Sequence, residues 1–372
     1  MKLNTTFIKI SALAFLISSI VPLSAFAEGP ENLKAQNKFY TSNVQVLKDH
    51  GVLESDIQEL GADIYPLANE ISNKNLSKTQ IENYINGIKQ ANEQSNEVEQ
   101  NRKHGIMDTS TQVTSEVIDG QVTLPDGDKI TVPNRNKMKL QPDNEVTQGI
   151  APLATLGDGP MYNVDARVGY NQITSMVTLP TVKSTTESGI IPYVLGGAYV
   201  TTNNVNYTGG ADIGAFYEKG VWRLCINAVN PTGTQYYWTS SQTTLPNGTV
   251  YLNYKVSANN QVQITASDAN YNYITSISYY FNDINLKADG SNVEMATGFS
   301  MAYKNVKSIS DGSYLLNGSW NNTYVYKPTG YSLMDSSTVV HASKKGTADE
   351  IAKISVTTSN PYYKYSTSID FR

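Results

Sequence analysis

Cysteine is nearly absent: there is one in 372 residues, which excludes an intrachain disulfide framework. Histidine is scarce as well. Three scattered histidines supply no metal-ligating cluster, so neither a metal nor a cofactor is implied. Charged residues make up only 16%, and the net charge is −5. An acidic, cation-poor chain is a poor match for sequence-independent nucleic-acid binding, which needs a basic surface. After the first two dozen residues no apolar run reaches the roughly 18 residues of a membrane helix. Phenylalanine is replaced by tyrosine: 8 Phe against 25 Tyr.

The amino terminus carries an export pattern. Lys2 and Lys9 mark a positive n-region, and Ile10 to Val21 is mostly apolar. Ala25-Phe26-Ala27 then offers small residues where a signal peptidase needs them. Residues 1–27 are expected to be a signal peptide cleaved after Ala27, leaving a secreted, extracellular protein with no transmembrane segment. A lone Cys225 suits an oxidising compartment.

The remainder has two compositions. Glu28–Gly159 carries 12 basic and 20 acidic residues, whereas Pro160–Arg372 carries 14 and 13. Of the 25 tyrosines, 22 lie at or beyond Tyr162. Residues 28–105 read as a helical region. A helix is predicted from about Leu33 to Lys48, closed at His50-Gly51. Ser55 and Gln58 suggest a cap before a second helix, which Pro66 should end or kink. Ser77 and Gln80 form a capping-box pattern before Ile81, Tyr84, Ile85 and Ile88, one face of a third helix. The polar stretch Gln90 to Lys103 has one aliphatic residue, Val98, and reads as a solvated helix end or tether. Residues 106–133 read as a short hairpin turning at Pro125-Asp126-Gly127-Asp128. Residues 134–159, rich in Pro and Gly, read as a linker.

From 160 to 372 the apolar residues alternate in the strand manner. Trp222, Leu224, Ile226 and Ala228 oppose Arg223, Cys225 and Asn227. Val250, Leu252, Tyr254 and Val256 oppose Tyr251, Asn253 and Lys255. Tyr363, Tyr365, Thr367, Ile369 and Phe371 repeat the pattern. One helical turn is allowed near Thr347 to Ala352. The fold class is therefore mainly β: an antiparallel β-sandwich of jelly-roll type with one face of each sheet wet, and a barrel as second choice.

Ile191 to Ala228 reads IPYVLGGAYV, a spacer, ADIGAFY, then VWRLCINA. This resembles the secreted YrpD-type proteins of Bacillus relatives, in which a Gly-Gly strand precedes an Asp-x-Gly strand and a Trp-bearing one. The resemblance covers about the last 200 residues. It implies an exported β-domain and no assigned activity.

Candidate sites follow from residue type. Asp283 to Glu294 is spaced like a calcium loop, but Lys287 and Ala288 occupy positions that need a ligand and a glycine, so a polar loop turning at Asp289-Gly290 is expected. No G-x-S-x-G elbow accompanies His341. Asp212, Glu218, Glu187 and Glu294 are isolated in sequence, so a carboxylate pair for glycoside hydrolysis is not visible. The aromatics carry the stronger signal. Trp238 with Tyr236, and Trp320 with Tyr324, sit among turn formers and suggest stacking platforms for sugar rings, with Asp212 as a hydroxyl partner. The expected partner is an uncharged polysaccharide or cell-surface glycan. The alternatives are a polysaccharide hydrolase, a self-associating structural protein and a strand-lined pore.

Overall fold

The computed structural model describes residues 30–102, 107–133, 159–183, 189–202, 206–232, 234–303 and 310–372. The expected signal peptide and nearly all of the expected linker lie outside the described residues. Two compact units emerge. One ends at Lys89 and takes in Pro328–Gly330; the other comprises Gln90–Lys327 and Tyr331–Arg372.

The first unit is helical. α1 (Pro30–Asp49) is followed by α2 (Glu54–Leu60), a 3-10 turn, α3 (Ile64–Lys74) and the start of α4 (Lys78–Arg102). α1 ends where Gly51 takes a φ of +79°, as its sequence suggests. The Ser77–Gln80 box forms: Gln80 N donates to Ser77 Oγ at 3.3 Å, and Ser77 N donates to Gln80 Oε1 at 3.0 Å. Ile81, Tyr84, Ile85 and Ile88 are all buried. Two local expectations change. α2 starts behind Leu53 with no side-chain cap, so Ser55 lies inside its first turn. Pro66 begins a helix instead of ending one, because first-turn N–H groups have no intrahelical partner to lose.

The second unit is mainly β, two curled antiparallel sheets. The larger has ten strands in the order β17 (Val339–Lys345), β4 (Met161–Ala166), β14 (Val293–Ala302), β7 (Ile191–Thr202), β8 (Asn206–Glu218), β9 (Val221–Val229), β10 (Gln235–Leu245), β1 (Gln112–Ile118), β2 (Gln121–Thr123) and β3 (Lys129–Thr131). The smaller runs β13 (Tyr273–Tyr280), β12 (Gln261–Asp268), β11 (Thr249–Ala258), β5 (Gln172–Thr178), β15 (Tyr314–Lys327), β19 (Lys364–Asp370) and β18 (Ile354–Asn360). Short β6 (Thr181–Lys183) and β16 (Gly330–Leu333) also pair with β15. α5 (Ala348–Ala352) is the anticipated turn, closed by a Thr347–Glu350 capping box.

The sheets share one apolar core. Val164, Val194, Ile213, Leu224 and Ile226 of the larger sheet meet Ile173, Leu252, Ile264 and Ile277 of the smaller. Each fully buried aliphatic side chain contributes about 1.5–3 kcal/mol. Aromatic tips then bond across the gap. Trp320 Nε1 donates to Gly298 O at 3.2 Å, Tyr365 Oη to Thr297 Oγ1 at 2.9 Å, and Tyr254 Oη to Ala296 O. Tyrosine serves here where phenylalanine would not, because its hydroxyl satisfies groups of the opposite sheet.

The outer faces differ from expectation. The segment 106–133 turns at Gly127 as expected, with Thr123 opposite Lys129. However, β1 pairs with β10 along Gln112–Glu116, so the segment continues the larger sheet. That sheet curls until β2 and β3 lie over its own outer face. Val122, Ile130 and Val132 form a second core with Tyr193, Leu195, Phe216, Cys225 and Trp238. The smaller sheet is covered in part by the end of α4: Gln263 Nε2 donates to Ala91 O at 2.7 Å, and Gln261 Nε2 to Ser95 Oγ at 2.9 Å. Val98 is fully buried there. Much of the alternating polar face is thus a second interior. Side-chain period two distinguishes faces, not solvent from a buried polar layer.

Candidate functional site

The uncovered outer surface of the smaller sheet lies on β15 and its neighbours. β15 carries two irregularities, between Leu315 and Gly318 and between Asn321 and Tyr324. Asn317 and Asn322, at φ +58° and +53°, take the left-handed conformations that such bulges need. Between them the strand alternates cleanly, with Trp320 inward and Ser319 and Asn321 outward. The Asn-rich segment therefore re-aims a strand and does not form a turn.

Register places five hydroxyls side by side across five strands. Thr357 of β18 faces Ser366 of β19, which faces Ser319 of β15, then Thr178 of β5 and Thr249 of β11. All are exposed or half-exposed. Neighbouring strands are about 4.8 Å apart, so the row spans roughly 19 Å. Thr178 and Thr249 hydroxyls lie 3.3 Å apart. Beside the row, Asn321 faces Lys364, and Asn321 Nδ2 donates to Ser319 Oγ at 2.8 Å. Ser319, Asn321, Thr357, Lys364 and Ser366 line an open groove of about 260 Å³. One step along β15, the half-exposed Tyr324 and Tyr331 rings meet edge to face at 6.1 Å. Tyr326 lies beneath them, and its hydroxyl is 3.1 Å from that of Thr174. Burial pushes the Tyr331 hydroxyl above its ordinary range, so it stays neutral.

The sequence candidates scatter. Trp320 is completely buried beneath this surface and Trp238 is 1% exposed in the second core. Neither is a stacking platform, because each indole packs edge-on to other rings: Trp320 against Tyr254 and Phe299, Trp238 against Tyr193 and Phe216. Tyr236 is half-buried beside Tyr237 and Tyr279, far from Tyr324 in the strand order, and its hydroxyl donates to Asp283 at 3.0 Å. Tyr324 alone of the five belongs to the open surface. Asp212 is buried on the outer side of the larger sheet, where it accepts from Tyr199 Oη and from Asn227 Nδ2 at 2.9 Å. It has no access to a sugar. Ser319 and Ser366 carry no sequence signal as isolated serines, and Asn321 reads there as a turn former; the register alone aligns them.

Two charged groupings complete the picture. Asp165 of β4 is buried opposite His341 of β17, with Nε2 2.6 Å from Oδ2 and Lys345 Nζ at 3.9 Å. Asp126, Asp128 and Glu218 bring carboxylate oxygens within 4.8 Å of one another. Lys219 Nζ lies among them at 2.7, 2.6 and 3.8 Å. That ammonium holds Asp126 below its ordinary carboxylate range, while burial raises Glu218. In the polar loop Asp283 to Glu294, Gly290 N donates to Lys287 O at 3.0 Å across the Asp289-Gly290 turn.

Neither a family model nor a curated relative matches the sequence. Among solved structures, the strand layout is similar to scytalido-glutamic peptidase at 9% identity and a TM-score of 0.38, covering 57% of this chain and 98% of that one. It is also similar to the CBM2 module of the evolved Dit of Lactobacillus casei phage J-1 (7% identity, TM-score 0.22, 60% and 68% covered) and to human galectin-16 (13%, 0.24, 41% and 95%). Scores of this size leave those proteins' activities with those proteins.

Proposed function

We propose that this chain is an exported β-sandwich protein that binds an uncharged polysaccharide or cell-surface glycan along β15. The hydroxyl row Thr357–Ser366–Ser319–Thr178–Thr249 carries the reading. Each hydroxyl both donates and accepts, so it matches a sugar hydroxyl whichever way that group points. Asn321 adds both a donor and an acceptor. Tyr324 and Tyr331 supply apolar ring surface of the kind that packs against pyranose faces. Lys364 is the one charge lining the groove, which favours a neutral polymer over a polyanion. The export pattern at residues 1–27 supports this reading, since an exported protein would meet cell-surface glycans.

The test is retention on a panel of insoluble uncharged polysaccharides. The full chain should be retained on at least one, and Asn321→Ala with Tyr324→Ala should weaken retention about tenfold or more, the loss expected for one or two hydrogen bonds and a stacked ring. Release of soluble oligosaccharide during the assay would point to a hydrolase instead.

A further inference from the structure

The ribbon that curls over the larger sheet is held in an unusual way. Among the described residues, the outer edge of β3 is received by side chains and not by another strand. Tyr193 Oη of β7 donates to Thr131 O at 2.7 Å. Two residues on, Pro133 O accepts from Asn227 Nδ2 of β9 at 3.1 Å and from Gln235 Nε2 of β10. Carbonyls at i and i+2 lie along one edge of an extended chain, so three strands present donors at the repeat of a β-strand. Ile130 and Val132, also at i and i+2, are buried in the aromatic pocket of Tyr193, Phe216 and Trp238.

The fit is incomplete. Trp238 Nε1 and Asn227 Oδ1 are buried on directly opposed residues of β10 and β9, and neither has a hydrogen-bond partner among the described residues. One is an orphan donor, the other an orphan acceptor. A buried polar group without a partner is costly and calls for an explanation. An extended peptide offers both a C=O and an N–H at each residue, yet the residue that stands here is Pro133, which has no N–H to give.

We infer that the outer face of β7, β9 and β10 is a binding cleft for an extended polypeptide with alternating apolar side chains, occupied by residues 129–133 of the chain itself as an imperfect resident strand. This goes beyond glycan binding on the other sheet and does not depend on it. The resident strand is tied down at its tip by the exposed Asp126 and Asp128 pairs with Lys219. Exposed pairs of this kind are weak, so the tie is easily loosened.

The test uses the full chain carrying Asp126→Asn and Asp128→Asn, substitutions at exposed positions that leave both cores intact. The probes are two fluorescent peptides, one with the sequence of residues 128–133 and one with Ala in place of the proline. Cys225, the only thiol, is buried in the same cluster and reports on occupancy. The variant should bind either peptide more tightly than the unaltered chain by about threefold or more, the gain expected from removing two weak exposed pairs. The alanine peptide should bind several-fold more tightly than the proline one, the gain of one hydrogen bond. Bound peptide should slow Cys225 alkylation in the variant. Equal affinity of the two chains, no binding to either, or binding that leaves Cys225 alkylation unchanged would each overturn the inference.

Discussion

Tyr254 lies directly over Gly196: a Cβ on that glycine would sit 2.6 Å from the tyrosine Cζ and 2.8 Å from its hydroxyl. The two residues belong to opposite sheets, and the hydroxyl continues past the glycine to the Ala296 carbonyl. The adjacent Gly197 leaves the space that the Tyr199 ring fills, and a Cβ there would collide with that ring. The Gly-Gly pair in the sequence is thus a pair of seats for tyrosine rings, one on each side of the sheet.

Gly196→Ala should destabilise the fold by about 1–3 kcal/mol or more, the usual cost of forcing a methyl into a filled core. The Ile213 carbonyl, 2.9 Å from the same Cβ, leaves little room to relax. Tyr254→Phe should cost about 0.5–1.5 kcal/mol by removing the hydrogen bond to Ala296 O. Urea denaturation of the two variants checks both figures, and a midpoint unchanged for Gly196→Ala would refute the packing.

Trp238→Ala and Trp320→Ala should each cost about 3–5 kcal/mol of stability. Any glycan retention measured on the fraction that remains folded should match that of the unaltered chain. The comparison separates a packing role from a stacking one. Tyr324→Ala, at the half-exposed ring, should show the reverse pattern of small stability loss and large retention loss.

Cys225 should be inert. Burial pushes its thiol well above the ordinary cysteine range, and the neighbouring Asp212 carboxylate adds to that. Only the thiolate reacts, so alkylation at pH 8 should require opening of the second core. Reaction at the rate of a free thiol in the native protein would contradict the burial.

The tie between the ribbon tip and Lys219 should depend on pH at both ends. Asp126 is held below its ordinary 3.8, so its contribution is complete above that value and disappears as pH falls through the depressed one. Lys219 is raised above 10.5, so its share is complete below that value and is lost as pH rises through the raised one. Glu218 acts in the opposite sense: raised by burial, it favours the fold most when neutral, and that share declines as pH rises past 4.5. Hydrogen exchange in residues 121–133, corrected for its intrinsic rate, should therefore quicken as pH falls below 3.8 through the depressed Asp126 value, with Glu218 opposing that change, and quicken again as pH rises above 10.5 through the raised Lys219 value. High salt should quicken it at every pH.

Sequence and structure agree where a local signal suffices. Periodicity located Ile81, Tyr84, Ile85 and Ile88 on one buried face, and the turn chemistry of Asp126-Gly127 located its hairpin. The antiparallel β fold follows from the alternation of Val250 to Val256 and its fellows. Site assignment failed at Trp238 and Trp320, because turn-forming neighbours were read as exposure. Asn317 and Asn322 instead supply bulges within a long strand, and the indole between them points inward. Asp212 shows the same limit: its partners, Tyr199 and Asn227, are 13 and 15 residues away and meet it only through the register of β7, β8 and β9. The hydroxyl row spans Thr178 to Ser366, so no sequence window contains it.

The most direct test of the account compares retention of the full chain and of a Ser319→Val, Ser366→Val double variant on insoluble uncharged polysaccharides. These swaps place residues that suit strands at two half-exposed positions and remove two central hydroxyls of the row. The account predicts retention of the unaltered chain on at least one polymer and its loss in a variant that melts at the same temperature. Retention unchanged by the double substitution, or no retention on any polymer, would contradict it.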